Sequence, residues 1–227
     1  MAQSTRRGRE LAAIGPVAQL RAGRLAIRLP LLLAGLALYG ASMAMVLRAT
    51  LGQIPWDVLH VGVSTHLPLT FGMIVVLVSL LVLVGWIPLR QPPGLGTLAN
   101  ALLIGPAADA TLAVLPEPDA LGWRVLLLVA GVGLNGVATG MYIGSQLGPG
   151  PRDGLMTGLA RRTGRSVRLV RTVLEISVVA VGWLLGGVVG LGTVLYAFAI
   201  GPLTQLFLPL FTVDLPRLRE APGRDRK

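Results

Sequence analysis

The nonapeptide LGPGPRDGL, residues 147–155, decides how the rest of the chain is interpreted, because a related nonapeptide occurs earlier. The earlier copy is LGQIPWDVL, residues 51–59. Both contain Leu-Gly, then Pro-x-Asp, then Leu, and their aspartates, Asp57 and Asp153, lie 96 residues apart. Each copy joins one long apolar segment to the next. Repetition at a fixed spacing predicts an architecture built from repeated units.

The spacing of 96 residues recurs well outside the nonapeptides. The run Gly-Leu-Gly-Thr at 94–97 matches 190–193, and Ile-Gly-Pro at 104–106 matches 200–202. Further matches at this spacing pair Thr70 with Ser166, Gly40 with Gly136 and Ala44 with Gly140. Several separate motifs at one spacing predict two related halves.

The composition is that of a membrane protein. Of the 227 residues, 53% are hydrophobic and only 13% are charged, whereas a soluble domain is about 25% charged. The mean hydropathy is +0.73. With no cysteine, the chain has no disulfide, no thiolate nucleophile and no cysteine-based metal site. We expect no nucleic-acid partner, because the arginines behind the net charge of +10 flank apolar segments instead of forming a solvated basic face.

Six apolar segments approach the length of about 20 residues that a membrane-spanning helix needs. They are residues 29–47, 71–89, 95–115, 123–147, 167–187 and 191–211. The sequence therefore predicts an all-α polytopic membrane protein of six transmembrane helices. Its single membrane domain covers 29–212 and consists of two repeats, 29–115 and 123–212.

The distribution of arginine predicts the topology. The basic N-terminal segment, 1–28, and the basic tail, 213–227, belong in the cytoplasm by the positive-inside rule. Six spans then place the first nonapeptide outside and the second inside, so the two three-helix repeats are inverted. This arrangement predicts a multi-pass protein of the bacterial inner membrane with both termini cytoplasmic. Within the N-terminal segment, Arg21, Arg24 and Arg28 recur at helical spacing, which predicts a short helix on the inner membrane surface.

These motifs resemble those of a known family. The similarity rests on Pro55-Trp56-Asp57, the segment 148–155, Gly182-Trp183 with Gly186-Gly187, and the two Gly-Leu-Gly-Thr runs. The sequence resembles the YczE/YitT-like bacterial multi-pass membrane proteins, and is most similar to the YczE branch, over residues 30–212. The resemblance implies a multi-pass membrane location and brings no catalytic residues with it.

Four polar residues inside predicted spans are candidate substrate or ion ligands. Asp109 has no charged neighbour in its own helix, so we weigh a proton-relay or cation-binding role against a position near the outer interface. For Glu175 the alternatives are a functional carboxylate and an i,i+4 pair with Arg171. Asn100 and Asn135 suit hydrogen bonds between helices as well as ligand binding.

The nonapeptides are interpreted as hinges of the repeats, and the hinge residues are Pro55, Asp57, Pro151, Arg152 and Asp153. Each aspartate is expected to be a helix N-cap, or else an ion or substrate ligand at one of two related gates.

Other polar clusters predict little chemistry. His60 and His66 are six residues apart, which is not a helical metal-binding pair, so we predict no metal and no cofactor. The Arg161–Arg171 segment is mainly a topology signal, with contact to anionic lipid or to an anionic solute as the alternative.

Inverted repeats with broken helices are a recurring plan of secondary transporters. The sequence therefore favours a small-molecule transporter or permease of unknown substrate. The alternative is an accessory or regulatory membrane protein without transport activity. An enzyme is not expected, because no nucleophile–base pair or metal set is visible.

Overall fold

The computed structural model describes residues 15–215, and all regular secondary structure in that range is helical. Much of the predicted basic N-terminal segment and most of the basic tail lie outside this range. The helices are α1 Pro16–Arg21, α2 Leu25–Ala49, α3 Pro55–Ser64, α4 Phe71–Val84, α5 Trp86–Leu89, α6 Leu95–Val114, α7 Leu121–Gly144, α8 Pro151–Thr163, α9 Val167–Leu184 and α10 Leu191–Phe211.

Five helical segments in the described range are long and apolar enough to cross a membrane. They are α2, α4 together with α5, α6, α7 and α10. The predicted span at 167–187 forms a helix, α9, but its 18 residues contain Arg168, Arg171 and Glu175. These charges distinguish α9 from the other five, so the count of six spans stays a prediction.

The helices begin where the sequence places their start signals. The hydroxyls of Thr70 and Ser166 accept the amides of Met73 and Leu169, capping α4 and α9 at 3.2 Å. Proline occupies the first turn of α3 and of α8, where its missing N–H costs no hydrogen bond.

Corresponding helices begin at the repeat spacing. The starts of α2 and α7, of α3 and α8, of α4 and α9, and of α6 and α10 are each 96 residues apart. The cap before α6 is also reproduced before α10, since the Thr97 and Thr193 hydroxyls accept the amides of Gly94 and Gly190 at 3.2 Å.

The long helices α2 and α7 form the centre of the molecule and run antiparallel. Gly35 of α2 lies against Met141 and Tyr142 of α7, and Gly131 of α7 lies against Val46. Such close approach is what small residues permit in membrane helix pairs. Helix α6 packs on α2 and α10 packs on α7, enclosing a core that includes Leu36, Met43, Ile104, Leu128 and Ile200.

The two nonapeptides lie at opposite ends of the α2/α7 pair. The first follows the end of α2, where Leu51 O accepts the amide of Gly192 at 2.7 Å. The second follows the end of α7, where Leu147 O accepts the amide of Gly96 at 2.7 Å. These bonds are related by exchange of the halves, since Gly192 and Leu147 lie 96 residues after Gly96 and Leu51.

From each end the chain turns into the core and then returns as a short helix. The turns use Gly52 and Gly148, whose φ angles of 115° and 129° favour glycine. The N-terminal ends of α3 and α8 meet inside, where the guanidinium carbon of Arg152 lies 4.9 Å from the ring centroid of Trp56. Thr65, just after α3, bonds Leu185 O at 2.9 Å and so lies at the end of the bundle from which α3 came.

The prediction of one surface helix containing Arg21, Arg24 and Arg28 is wrong. Helix α1 ends at Arg21, and positive φ angles at Gly23 and Arg24 interrupt the chain before α2. Arg28 is fully buried in α2 and donates to Ser145 O at 2.7 Å and Gln146 O at 2.6 Å. These carbonyls just past the end of α7 lack intrahelical donors, and the guanidinium supplies them.

Candidate functional site

Two small adjoining cavities lie in the core where α3 and α8 begin. The first cavity, of about 50 Å³, is lined by Ser79, Asn100, Tyr142 and the start of α8. The second cavity, of about 70 Å³, is lined by Trp56, Arg171, Glu175 and Tyr196. Three side chains line both cavities: Tyr39, Arg152 and Asp153.

The two cavities are built from corresponding positions with different chemistry. Val75, Ser79 and Asn100 line the first cavity, and the residues 96 positions later, Arg171, Glu175 and Tyr196, line the second. The second cavity therefore carries an ion pair where the first has an aliphatic side chain and a hydroxyl. Two structurally related pockets thus differ in charge.

Arg152 is the cation between the cavities. It is half-buried, and among the described residues it makes no ion pair; its guanidinium lies over Trp56. Trp56 is 6% exposed, and its indole N–H has no hydrogen-bond partner in the described part of the chain. The N-terminal dipoles of α3 and α8 add positive potential at the same place. The Asp153 carboxylate lines both cavities as well, so the point between them suits a polar group of a ligand.

The two repeated aspartates have different partners, and neither is an N-cap as one interpretation of the sequence predicted. The capping positions are Ile54 and Gly150, and each aspartate lies in the first turn of its helix. Asp57 Oδ1 is 3.0 Å from Nδ1 of the fully buried His60. Asp153 Oδ2 accepts the hydroxyl of Tyr142 at 2.6 Å.

His60 lies in the short helix α3, behind the cavities. Burial lowers the pKa of His60, and its hydrogen bond to Asp57 acts in the opposite direction. The Nε2 atom has no partner among the described residues. His66 is separate: it follows α3 and bonds to the adjacent Thr65 and to Gly62 O of that helix. Residues 15–215 contain no group of three or more His, Asp or Glu residues placed to hold a metal ion.

The four predicted ligand residues are only partly brought together. Asn100 and Glu175 line the first and second cavities. Asn135 is fully buried and uses both ends of its amide, donating to Ser42 Oγ at 2.7 Å and accepting from Tyr196 at 2.8 Å. It therefore links α2, α7 and α10 as the interhelical interpretation predicts.

Asp109 lies away from the cavities, near the end of α6. Its carboxylate accepts the hydroxyl of Thr70 and, at 2.7 Å, the amide of Gly72, so it holds the start of α4. Glu175 makes the i,i+4 pair that its spacing predicts, with Arg171 Nε at 2.8 Å, while 27% of its side chain stays exposed. The two alternatives weighed for Glu175 are thus compatible.

The sequence interpretation missed the tyrosines. Tyr39 contacts both cavities, and Tyr142 and Tyr196 bond Asp153 and Asn135. A signal was present, because Tyr39 lies 96 residues before Asn135, and Asn100 lies 96 residues before Tyr196. At these two positions one half has tyrosine where the other has asparagine, and the reverse. A comparison of the halves that counts only identical residues does not find such pairs.

A larger groove of about 720 Å³ lies outside the cavities, between α9 and α10. Its walls are apolar, and include Ile176, Val179 and Phe198. Pro55 and Glu175 line both this groove and the second cavity. The groove is therefore next to the core cavities.

Comparison with known proteins places the chain among membrane proteins and names no activity. Residues 26–209 match the model of a family described as a family of unknown function, DUF6198. An uncharacterized protein of Haemophilus influenzae is 42% identical over 178 residues, 78% of this chain and 82% of that protein. The uncharacterized membrane protein YczE of Bacillus subtilis is 34% identical over 173 residues, 75% of this chain and 80% of that protein.

These similarities confirm the predicted resemblance to YczE and a multi-pass membrane location. A more distant relative, the uncharacterized protein YyaS of Bacillus subtilis, is 26% identical over 180 residues, 78% of this chain and 90% of that protein. No solved structure matches the chain at a significant level.

Proposed function

We propose that this chain, which belongs to the family of unknown function DUF6198, is a membrane transporter of a small polar solute, and not an enzyme. The binding site we assign is the pair of core cavities on either side of Arg152. One observation carries the proposal: two short helices begin in the core and run towards opposite ends of the bundle, and their N-terminal ends meet at these cavities.

Membrane physics supports a functional site at this point. Non-helical backbone at membrane depth is tolerated only where it is buried in protein or lines a water-filled cavity. The segments before α3 and α8 are such backbone, since Gly150 lines the first cavity and Ile54 lines the second. In secondary transporters, discontinuous helices point their N-terminal ends at the substrate near the bilayer midplane.

We further propose that α9 is a sixth span and that the halves are inverted repeats. The helix starts at intervals of 96 residues and the exchanged Gly96–Leu147 and Gly192–Leu51 bonds support this. An odd number of spans in each half inverts the second half relative to the first. The arginines near α8 and α9 favour the cytoplasm of a bacterial inner membrane for that end of the bundle.

The charges assign roles within the proposed site. Arg152 binds the polar group of the solute, aided by Asn100 and Tyr39, which also line the first cavity. Arg171 and Glu175 form one wall of the second cavity. Asp109 is outside this proposed site because its carboxylate holds α4.

The test is osmotic swelling of proteoliposomes in solutions of single solutes: carboxylate salts, ammonium salts, amino acids and polyols. We expect protein-dependent swelling for one solute class. Arg152→Gln should slow it about tenfold or more, since a charge-assisted hydrogen bond in the core contributes about 1.5–3 kcal/mol.

The matched control is Arg165→Gln, which removes an arginine that is exposed and outside both cavities. It should leave swelling unchanged. Swelling that is absent for every solute class, or that is equal in the Arg152→Gln protein and the wild type, contradicts the proposed site.

The accessory-protein alternative has one observation in its favour, the small size of the cavities. Volumes of about 50 and 70 Å³ are near the space of one or two water molecules, at about 30 Å³ each in the liquid. In a transporter they correspond to a closed state. A protein that supports assembly of another system would show no flux for any solute in the swelling assay.

A further inference from the structure

The groove between α9 and α10 exists because the corresponding helices of the first half pack closely and these do not. In the first half, α4 packs on α6 through Gly72 and Gly105, where a methyl group on Gly72 would overlap the Gly105 carbonyl. Asp109 adds hydrogen bonds from Thr70 and from the Gly72 amide. Glycine contacts of this kind allow membrane helices to approach backbone to backbone.

The second half lacks each of these features. The residue 96 positions after Gly72 is Arg168, and the residue 96 positions after Asp109 is Gln205. Gly201 corresponds to Gly105, and a methyl group on Gly201 would meet no atom within 4 Å. Helices α9 and α10 therefore scarcely touch, and they leave a groove of about 720 Å³.

The chemistry of the groove changes along its length. Its walls are mainly aliphatic and aromatic, with Ile176 and Ala180 on α9 and Val194 and Ala197 on α10, and Thr172 and Thr193 add two hydroxyls. Its inner boundary is Glu175, whose carboxylate pairs with Arg171. An apolar groove with an ion pair at its inner boundary matches a molecule with a hydrocarbon chain and a polar head. The volume lies within the range of about 300–1,000 Å³ that is typical of small-molecule sites.

We propose that the groove binds the hydrocarbon chain of a membrane amphiphile, with its head group at the Arg171–Glu175 pair. The bound molecule covers the side of the second cavity that Pro55 and Glu175 share with the groove. The groove site does not depend on the proposed transport function. A water-soluble solute is a poor match, because the walls offer it few hydrogen-bonding partners.

Tryptophan fluorescence provides the test, because Trp183 lines the groove and is 64% exposed, and Trp123 is 63% exposed outside the groove. The probe is a fatty acid with a nitroxide on its chain, added to the full-length protein in detergent micelles. We expect quenching that saturates, that is lost in Trp183→Phe and that persists in Trp123→Phe. Quenching that rises linearly with the probe in all three proteins would overturn the proposal.

Filling the groove tests the site independently of tryptophan. Ala180→Phe and Ala197→Phe add rings inside it and should raise the half-saturating probe concentration about tenfold, a cost of about 1.4 kcal/mol. The matched control, Ala130→Phe, adds a ring to an exposed position of α7 and should change nothing. Unchanged half-saturation in both groove variants counts against the site.

The head-group position is tested with Glu175→Gln, which leaves Arg171 without its carboxylate partner. The anionic probe should then bind about threefold more tightly, as expected for freeing a partly exposed ion-pair partner. No change in half-saturation would exclude the head group from this end. Saturable quenching in a protein without solute flux would support the groove while refuting transport, and flux without saturable quenching would do the reverse.

Discussion

Individual residues divide into those whose partners follow from spacing and those whose partners do not. Glu175 and Arg171 are four residues apart on one helix, so their ion pair could be predicted from the sequence. Arg28 bonds carbonyls 117 and 118 residues away, and no local pattern indicates them. Arg28 was predicted at the membrane surface from its helical spacing to Arg21 and Arg24. Such spacing indicates which residues share a face of a helix, but it does not indicate whether that face packs against another helix.

Removing the Arg28 guanidinium should destabilise the protein strongly. Arg28→Ala leaves Ser145 O and Gln146 O buried without these donors, and bonds to a charged group contribute about 1.5–3 kcal/mol each. We expect the free energy of unfolding to fall by about 3 kcal/mol or more and the thermal unfolding midpoint in detergent to fall with it.

The control is Arg21→Ala, which removes an exposed arginine at the end of α1. Its midpoint should stay close to that of the wild type. Equal midpoints for the Arg21 and Arg28 variants would mean that the bonds to the end of α7 contribute little.

At the scale of elements, helix starts are far easier to predict than helix contacts. Proline and the Thr70 and Ser166 caps mark the starts of four helices locally. A helix start at the second nonapeptide was also expected, since Asp153 was interpreted as an N-cap, and α8 begins there at Pro151. The gap between α9 and α10 depends on which glycines meet across helices, and that requires three-dimensional packing.

Two corresponding glycines should respond oppositely to alanine. Gly72→Ala forces α4 away from α6, and overpacking of this kind costs about 1–3 kcal/mol. Gly201→Ala meets open space in α10 and should be neutral or stabilising by up to about 1 kcal/mol, since alanine is the better helix former. Thermal unfolding in detergent measures both variants, and equal destabilisation would show that α10 does pack at Gly201.

At the scale of the whole molecule, the class of protein and its family were predicted from composition and from the repeated motifs. Hydropathy identified a multi-pass membrane protein, and the nonapeptides and glycine runs identified the family that residues 26–209 match. The candidate site was predicted less well, since Asn100, Glu175 and Arg152 were named and Tyr39, Trp56 and Tyr142 were not assigned roles. A charged or amide side chain in an apolar helix is easily identified as a candidate ligand, whereas tyrosine and tryptophan are also common in apolar cores.

The proposed inverted arrangement predicts that the two ends of the bundle face different compartments. Because the chain has no cysteine, single cysteines at Leu67 and Arg165 report these ends without background. A membrane-impermeant maleimide should label Leu67→Cys on intact cells and should label Arg165→Cys only after permeabilisation. Labelling of both from the same side would rule out inverted repeats.

The stacked pair Trp56 and Arg152 has a consequence for how such a protein can be built. These residues lie 96 positions apart, so in the two-repeat arrangement they occupy the same position of the two repeats. They contact each other, which places this position on the two-fold axis that relates the repeats. In a symmetric dimer of identical three-helix chains, the same residue of both chains would meet at this contact, and two arginines there would repel each other. A cation resting on an aromatic ring requires unlike partners. A fused chain with diverged halves can encode this contact, whereas a symmetric dimer of identical chains cannot.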